Sequence, residues 1–122
     1  MKLALIGYGS VGRALARLLR QKRRQFPFTI TGIHTLRHGT AVDAGGLPED
    51  PVMGPRAESI DAFLDAARAQ IAVELTTLNP STGEPAIAHI RAAFARGMHV
   101  VTANKGPIAQ AYAALRDEAA RA

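Results

Sequence analysis

A run of six residues near the start of the chain has the spacing of a phosphate-binding glycine loop. Gly7, Gly9 and Gly12 match the pattern G-x-G-x-x-G. The first glycine of such a loop permits a tight turn, the second lets the backbone approach a pyrophosphate, and the third allows close packing of helix on strand. The N–H groups of Ser10 and Val11 would then open a helix and point at the phosphates. We predict that these five residues bind a dinucleotide; a glycine turn that serves only strand–helix geometry is the alternative.

Two later segments carry polar groups that suit the other half of a dinucleotide. Thr76 and Thr77 follow an apolar run and offer hydroxyls to a nicotinamide amide or ribose. Ala103 and Asn104 follow another apolar run and precede Lys105. A lysine at that place can bind a carboxylate or a substrate oxygen, or move a proton. From their residue types we predict cofactor contacts at Thr76 and Thr77, whereas the spacing of Lys105 alone leaves a functional lysine and a surface lysine equally open.

The residues expected near the adenosine ribose are basic. A fold selective for NAD usually places Asp or Glu at the end of its second strand. Here that strand is predicted to end at His34, and Arg37 and His38 follow it. Arg37 offers planar, bidentate donors to a 2′-phosphate. The sequence therefore favours NADP over NAD, unless both side chains are merely solvated. Glu74, inside an apolar run, is expected to be paired or at a sheet edge and receives no chemical role.

The elements that must position these groups alternate between short apolar runs and amphipathic stretches. We predict strands at Lys2–Ile6, Phe28–His34, Ile71–Thr76 and Met98–Thr102. We predict helices at Ser10–Arg24, at Ile60–Ala69 with Ser59 as N-cap, at Pro85–Arg96 with Gly97 at its end, and from Pro107 onward, with a loop at Thr35–Arg56 and a turn at Asn79–Gly83. This alternation predicts an α/β fold, a Rossmann-type doubly wound parallel sheet between two helical layers. The expected strand order, 2-1-3-4 in chain numbering, places the ligand cleft between the first and third strands.

The composition of the chain excludes several classes of protein and of functional site. The 122 residues fit one domain, 1–122, and 48% of them are hydrophobic, as in a globular protein. The absence of cysteine excludes disulfides and thiol nucleophiles, and the four scattered histidines predict no metal site. A net charge of +5 suits an anionic partner. We attribute the basic run Gln21–Gln25 to a helix C-terminus rather than to nucleic-acid binding. No apolar run is long enough for a membrane span, and we expect a cytoplasmic protein.

The segments VTANKGPIA and VELTTLNPSTGEPA, together with the glycine loop, resemble homoserine dehydrogenase across essentially all 122 residues. The resemblance implies reversible interconversion of L-aspartate semialdehyde and L-homoserine with NAD(P), in the aspartate pathway to threonine and methionine. It also implies that Lys105 matches an active-site lysine of the family. Thr76 and the turn Ala103–Lys105 would border the nicotinamide.

The resemblance is to the N-terminal part of that family only. Its members are several hundred residues long, and their dimerisation and substrate regions follow the nucleotide domain. We therefore expect an N-terminal domain without its substrate domain, inactive alone and homo-oligomeric at full length. Two other hypotheses stay open: a different amino-acid oxidoreductase of the same fold, and a stand-alone NADP-binding or redox-sensing module.

Overall fold

A five-stranded mixed sheet forms the centre of the part of the chain that the computed structural model describes, residues 1–77 and 79–122. The strands are β1 (Lys2–Ile6), β2 (Thr29–His34), β3 (Thr40–Val42), β4 (Ile71–Glu74) and β5 (His99–Thr102). The helices are α1 (Ser10–Gln21), α2 (Ile60–Ala67), α3 (Ala86–Phe94) and α4 (Lys105–Arg121). None of these helices is both long and apolar enough to cross a membrane.

The strand order is β3-β2-β1-β4-β5, and the four predicted strands lie in the predicted order. β1 pairs in parallel with β2 on one side and with β4 on the other. The chain therefore reverses its direction of winding between β1 and β4, where the sequence predicted the cleft. All four carboxyl ends of the parallel strands meet at one edge of the sheet, since β5 is also parallel to β4.

The predicted loop from Thr35 to Arg56 is wrong in one respect, because it contains β3. This three-residue strand pairs antiparallel with β2, so the sheet is mixed rather than wholly parallel. A tight turn sets the pairing: the Thr35 N–H donates to the Gly39 carbonyl at 3.0 Å, and Gly39 has a φ of +86°. Three residues are too few to show an alternating hydrophobic pattern, which is why the strand has no sequence signal of its own.

The predicted helix caps are confirmed, although several helix ends differ. The Ser59 hydroxyl accepts from the Ala62 N–H at 3.0 Å at the start of α2. Gly97 has a φ of +68° and follows the end of α3. Its N–H donates to the carbonyl of Phe94, and the N–H of Met98 donates to the carbonyl of Ala93. These two bonds define a Schellman motif. α1, α2 and α3 end two or three residues before their predicted ends, because the last turns leave regular helical geometry.

Helices cover both faces of the sheet, but unequally. α2 and α3 pack on one face over a cluster that includes Ile6, Phe63 and Leu64, and α4 packs outside α3 through Leu115. α1 covers the other face, over a smaller cluster around Leu5, Ile33 and Val73. On the α1 side, Val11 and Leu18 are 61% and 46% exposed. Val101 of β5 is also exposed.

His34, the last residue of β2, connects the sheet to α2. Its ring stacks on Phe63 at 5.1 Å between centroids, and its Nδ1 lies 2.9 Å from the hydroxyl of Thr40 in β3. Partial burial, followed by the nearby His89 and Arg56, lowers the pKa of His34 below its ordinary value. Each of these causes disfavours a second proton on the imidazole.

The lowered pKa of His34 predicts that acid weakens the fold. Below about pH 6.5 the unfolded chain binds a proton at this residue more readily than the folded chain does. The contribution of His34 to the free energy of unfolding is therefore fully present above that pH, and it falls as the pH drops through the pKa of the folded state. His34→Gln should flatten the slope of unfolding free energy against pH in urea titrations between about pH 7.5 and 5. His99→Gln, at an exposed position, serves as the control and should keep the wild-type slope; an unchanged slope in His34→Gln would contradict the assignment.

Candidate functional site

The glycine loop lies at the carboxyl edge of the sheet, pinned between the ends of β2 and β4. The N–H of Gly7 donates to the carbonyl of His34 at 2.8 Å. Gly7 has a φ of +101°, and a Cβ atom there would lie 2.8 Å from the carbonyl oxygen of Leu75. Only glycine fits such a backbone conformation and such a close approach. The loop therefore passes directly over the junction between β1 and β4.

The second and third glycines have the surroundings that phosphate binding requires. A Cβ atom at Gly9 would meet no atom within 4 Å, so open space faces this backbone. A Cβ atom at Gly12 would lie 3.1 Å from the carbonyl oxygen of Gly7. Because glycine has no Cβ atom, α1 can pack close against the loop. Gly9 is the N-cap of α1, and no side chain caps the helix. The N–H groups at the exposed residues Ser10 and Val11 therefore begin the helix beside the open space.

The electrostatics at this helix end suit an anion. The first turn of α1 contains no acidic residue. The positive end of the helix dipole is thus uncompensated by a protein carboxylate in that turn. Arg13 of α1 lies with its guanidinium 4.9 Å from the ring centroid of Tyr8 inside the loop. It adds a cation beside the glycines that the motif itself gave no reason to expect.

The end of β4 brings Thr76 beside the glycine loop. A Cβ atom at Gly7 would lie 3.2 Å from the backbone nitrogen of Thr76. The hydroxyl of Thr76 donates to the carboxylate of Glu74, and Glu74 also pairs with His89 of α3 at 2.9 Å. Glu74 is therefore paired rather than at an edge, the first of the two expected alternatives. Thr77 is exposed at the same edge.

The end of β5 brings Asn104 and Lys105 to the same edge. Asn104 is 6% exposed; its amide donates to the Thr76 carbonyl at 3.2 Å, and its side-chain oxygen accepts from the Gly106 N–H at 3.0 Å. This cap starts α4 at Lys105, two residues before the predicted start at Pro107. Both ends of the Asn104 side chain are thus engaged within the protein. Lys105 is exposed beside it.

The turn between β2 and β3 contains the residues that the sequence predicts to lie near the adenosine ribose. Arg37 and His38 are exposed on this turn, after the buried Thr35, whose hydroxyl accepts from the His38 N–H at 2.8 Å. His38 lines a cavity of about 130 Å³ that separates the turn from the glycine loop. The lining residues are Tyr8, Arg13, Thr35, His38, Asp50, Pro51 and Met53. Asp50 comes from the long connection after β3, so its place here could not be derived from its spacing in the sequence.

A larger cavity, of about 340 Å³, lies between α1 and β2 and shares Tyr8, Arg13 and Asp50 with the smaller one. Arginines of α1, including Arg17 and Arg20, line it together with Phe28 and Ile30. None of the predicted cofactor or catalytic residues lines it, so its size does not make it the dinucleotide site. Within residues 1–77 and 79–122, no three His, Cys, Asp or Glu side chains converge as a metal ion would require.

Comparisons with known proteins agree on one family. Residues 7–122 match the family model described as homoserine dehydrogenase, NAD binding domain. An NAD(+)-dependent homoserine dehydrogenase of Pseudomonas canavaninivorans is 41% identical over 88% of this chain and 36% of its own length. A homoserine dehydrogenase of Methanocaldococcus jannaschii is 33% identical over 98% of this chain and 41% of its own length. The chain thus spans little more than a third of these curated relatives.

Solved structures resemble the fold closely. Homoserine dehydrogenase of Thermoplasma acidophilum superposes with a TM-score of 0.81 over 99% of this chain and 40% of that chain; at 23% identity the match supports the fold alone. A hyperthermophilic archaeal homoserine dehydrogenase mutant, solved in complex with NADPH, gives a TM-score of 0.76 at 25% identity, over 98% of this chain and 40% of that chain. Both neighbours extend well beyond the region that this chain matches.

Proposed function

The chain belongs to the family of homoserine dehydrogenase NAD-binding domains, and we propose on this basis that it forms the dinucleotide site of an enzyme that interconverts L-aspartate semialdehyde and L-homoserine. One observation carries the proposal: the open backbone at Gly9 and the exposed Lys105 lie at the same edge of the sheet. The first suits a pyrophosphate and the second suits a reacting substrate. We infer that the substrate region lies in the part of the relatives' length that this chain does not span.

The residues of this chain fit a dinucleotide along that edge. The space beside Gly9, which a Cβ would fill, is where the pyrophosphate would lie, against the N–H groups of Ser10 and Val11. Thr76, Thr77 and the backbone of Ala103 would border the nicotinamide half. When bound, the dinucleotide gives or accepts the hydride of the reaction. The chain's own residues contribute binding, orientation and the movement of a proton.

Lys105 is proposed to act on the substrate. It follows β5, on the side of the β1–β4 junction away from the adenosine turn. Homoserine carries a carboxylate and a hydroxyl, and an ammonium group can hydrogen-bond to either. Oxidation of the hydroxyl also releases a proton, which a neutral amine at this position could accept. Substrate orientation and proton transfer are therefore the two roles proposed for this side chain.

The choice between NADP and NAD depends on the turn after β2. Arg37 supports NADP, since a guanidinium can hold a 2′-phosphate through two hydrogen bonds. The archaeal neighbour solved with NADPH is consistent with this preference. Asp50 favours NAD instead, because a carboxylate accepts from a ribose diol, and the relative from Pseudomonas canavaninivorans is named as NAD(+)-dependent. We propose a modest preference for NADP, carried by Arg37.

One prediction from this proposal tests the pyrophosphate site. The 122-residue chain should bind NADH or NADPH in a fluorescence titration without oxidising homoserine. Gly9→Val should weaken binding at least tenfold, since loss of charged hydrogen bonds costs about 1.5–3 kcal/mol. Its free energy of unfolding should fall by no more than about 1 kcal/mol, because a Cβ atom at Gly9 meets open space and the remaining cost is that of valine at a helix N-cap.

Gly7→Ala is the matched control for that variant. It should lower stability by at least about 1–2 kcal/mol, because of its positive φ and the carbonyl at 2.8 Å. Unchanged affinity in Gly9→Val would remove the loop as the phosphate site, and homoserine turnover by the isolated chain would refute the need for a further substrate region.

Another prediction concerns the 2′-phosphate of the cofactor. Arg37→Ala should weaken NADPH binding by roughly ten- to a hundredfold and leave NADH binding nearly unchanged. Arg24→Ala removes the same charge beyond the opposite end of α1 and should affect neither dinucleotide. Equal losses for NADPH and NADH in Arg37→Ala would show that this residue does not contact a 2′-phosphate.

The prediction for Lys105 requires the full-length enzyme. Lys105→Ala should lower kcat/KM for homoserine by at least about a hundredfold, the scale of general acid–base catalysis, while dissociation constants for the dinucleotide change little. Lys22→Ala, at the C-terminal end of α1, is the matched lysine control. Near-normal turnover in Lys105→Ala, or a selective loss of cofactor binding, would show that Lys105 has another role.

A further inference from the structure

Glu74 is a buried acid for which the proposed reaction has no direct use. It is the last residue of β4 and is fully buried. A buried carboxylate is costly unless hydrogen bonds and a charge partner compensate for lost water. One oxygen, Oε2, lies 2.9 Å from Nδ1 of His89, whose side chain is 14% exposed. The other, Oε1, accepts from both the N–H and the hydroxyl of Thr76.

These contacts fix the chain at the point where it leaves the sheet. The β4 ladder ends at Glu74, so the N–H of Thr76 has no strand partner. The Glu74 side chain folds back and supplies the missing acceptor at 2.8 Å. The hydroxyl of Thr76 is oriented by the same oxygen and keeps its lone pairs for other donors. His89 in turn anchors the carboxylate from α3.

The contacts continue across to β5 and α4. The Thr76 carbonyl accepts from the Asn104 amide at 3.2 Å, and Asn104 caps α4 through the Gly106 N–H at 3.0 Å. The hydroxyl of Thr102 also donates to the backbone carbonyl of Glu74 at 3.3 Å. Lys105 lies between Asn104 and Gly106, so its backbone is tied to the position of the Thr76 carbonyl.

We propose that Glu74 and His89 are positioning residues for the nicotinamide half of the site, which set the placement of Thr76 directly and of Lys105 through Asn104. The proposal rests on the proposed function, since it concerns the same cleft. It predicts that the pair matters for ligands that reach the ends of β4 and β5. The affinity for ligands held only by the glycine loop should not change when the pair is lost.

Two ligands and two substitutions of His89 in the full-length protein test this. NADH carries a nicotinamide, whereas ADP-ribose keeps the pyrophosphate but lacks that ring. His89→Phe retains a ring and removes the donor to Glu74. It should weaken the binding of NADH about tenfold and keep the affinity for ADP-ribose within about twofold of wild type. His89→Asn restores a donor near the position of Nδ1 and should recover most of the NADH affinity. Hydrogen exchange of the peptide containing Thr76 should accelerate in His89→Phe and return towards wild type in His89→Asn.

Thr31→Val is the control for a purely structural effect. The Thr31 hydroxyl is fully buried and donates to the Ala67 carbonyl at 2.7 Å, in β2 and away from the ends of β4 and β5. Loss of this hydroxyl should lower the free energy of unfolding and leave the affinities for NADH and for ADP-ribose unchanged.

The outcomes separate this inference from the proposed function. Equal weakening of NADH and ADP-ribose in His89→Phe would show a structural role and overturn the inference alone. Unchanged NADH affinity, or an Asn variant no better than Phe, would also overturn it. If the wild-type protein bound neither ligand, the proposed function would fall, and the inference with it.

Discussion

The close approach of the Gly7 backbone to Leu75 and Thr76 is the constraint on which the site depends. A Cβ atom at Gly7 would lie 2.8 Å from the Leu75 carbonyl, so a larger residue would push the loop away from β4. With glycine there, the chain turns sharply after β1 and starts α1 directly above the junction of β1 and β4. The N-terminus of the helix and the end of β4 then face the same space, which is what a dinucleotide crossing the sheet edge requires.

Hydrogen bonds among side chains and loop backbone carry this arrangement beyond the ends of the strands. Strand ladders fix the sheet only as far as Glu74 and Thr102. Past that point, Glu74 holds Thr76 and Asn104 joins Thr76 to the start of α4. Within the described residues, no buried side-chain nitrogen or oxygen lacks a partner. Such a satisfied network fixes one geometry, because any rearrangement would leave a buried polar group unpaired.

The two faces of the sheet differ in how completely they are packed. The face under α2 and α3 contains the largest buried side chain, Phe63, and most of the buried alanines. On the opposite face, Val11, Leu18 and Val101 keep about half of their surface exposed. The dinucleotide edge depends little on that exposed face, because the glycine loop and the ends of β4 and β5 are held mainly by backbone contacts and buried polar groups.

The sequence by itself determined the α/β fold, the strand order and the reversal of winding between β1 and β4. Those features follow from local patterns. These are the apolar runs in β1 and β4, the G-x-G-x-x-G spacing in the turn between β1 and α1, and the helix caps at Ser59 and Gly97. The tertiary structure alone decided the pairing of Glu74 with His89, the burial of Asn104, the strand β3 and the arrival of Asp50 beside His38. Each of these depends on residues distant in sequence or on a turn too short to be periodic. Local patterns report which face of an element is apolar, whereas the partner of a buried polar side chain is fixed only when the elements pack.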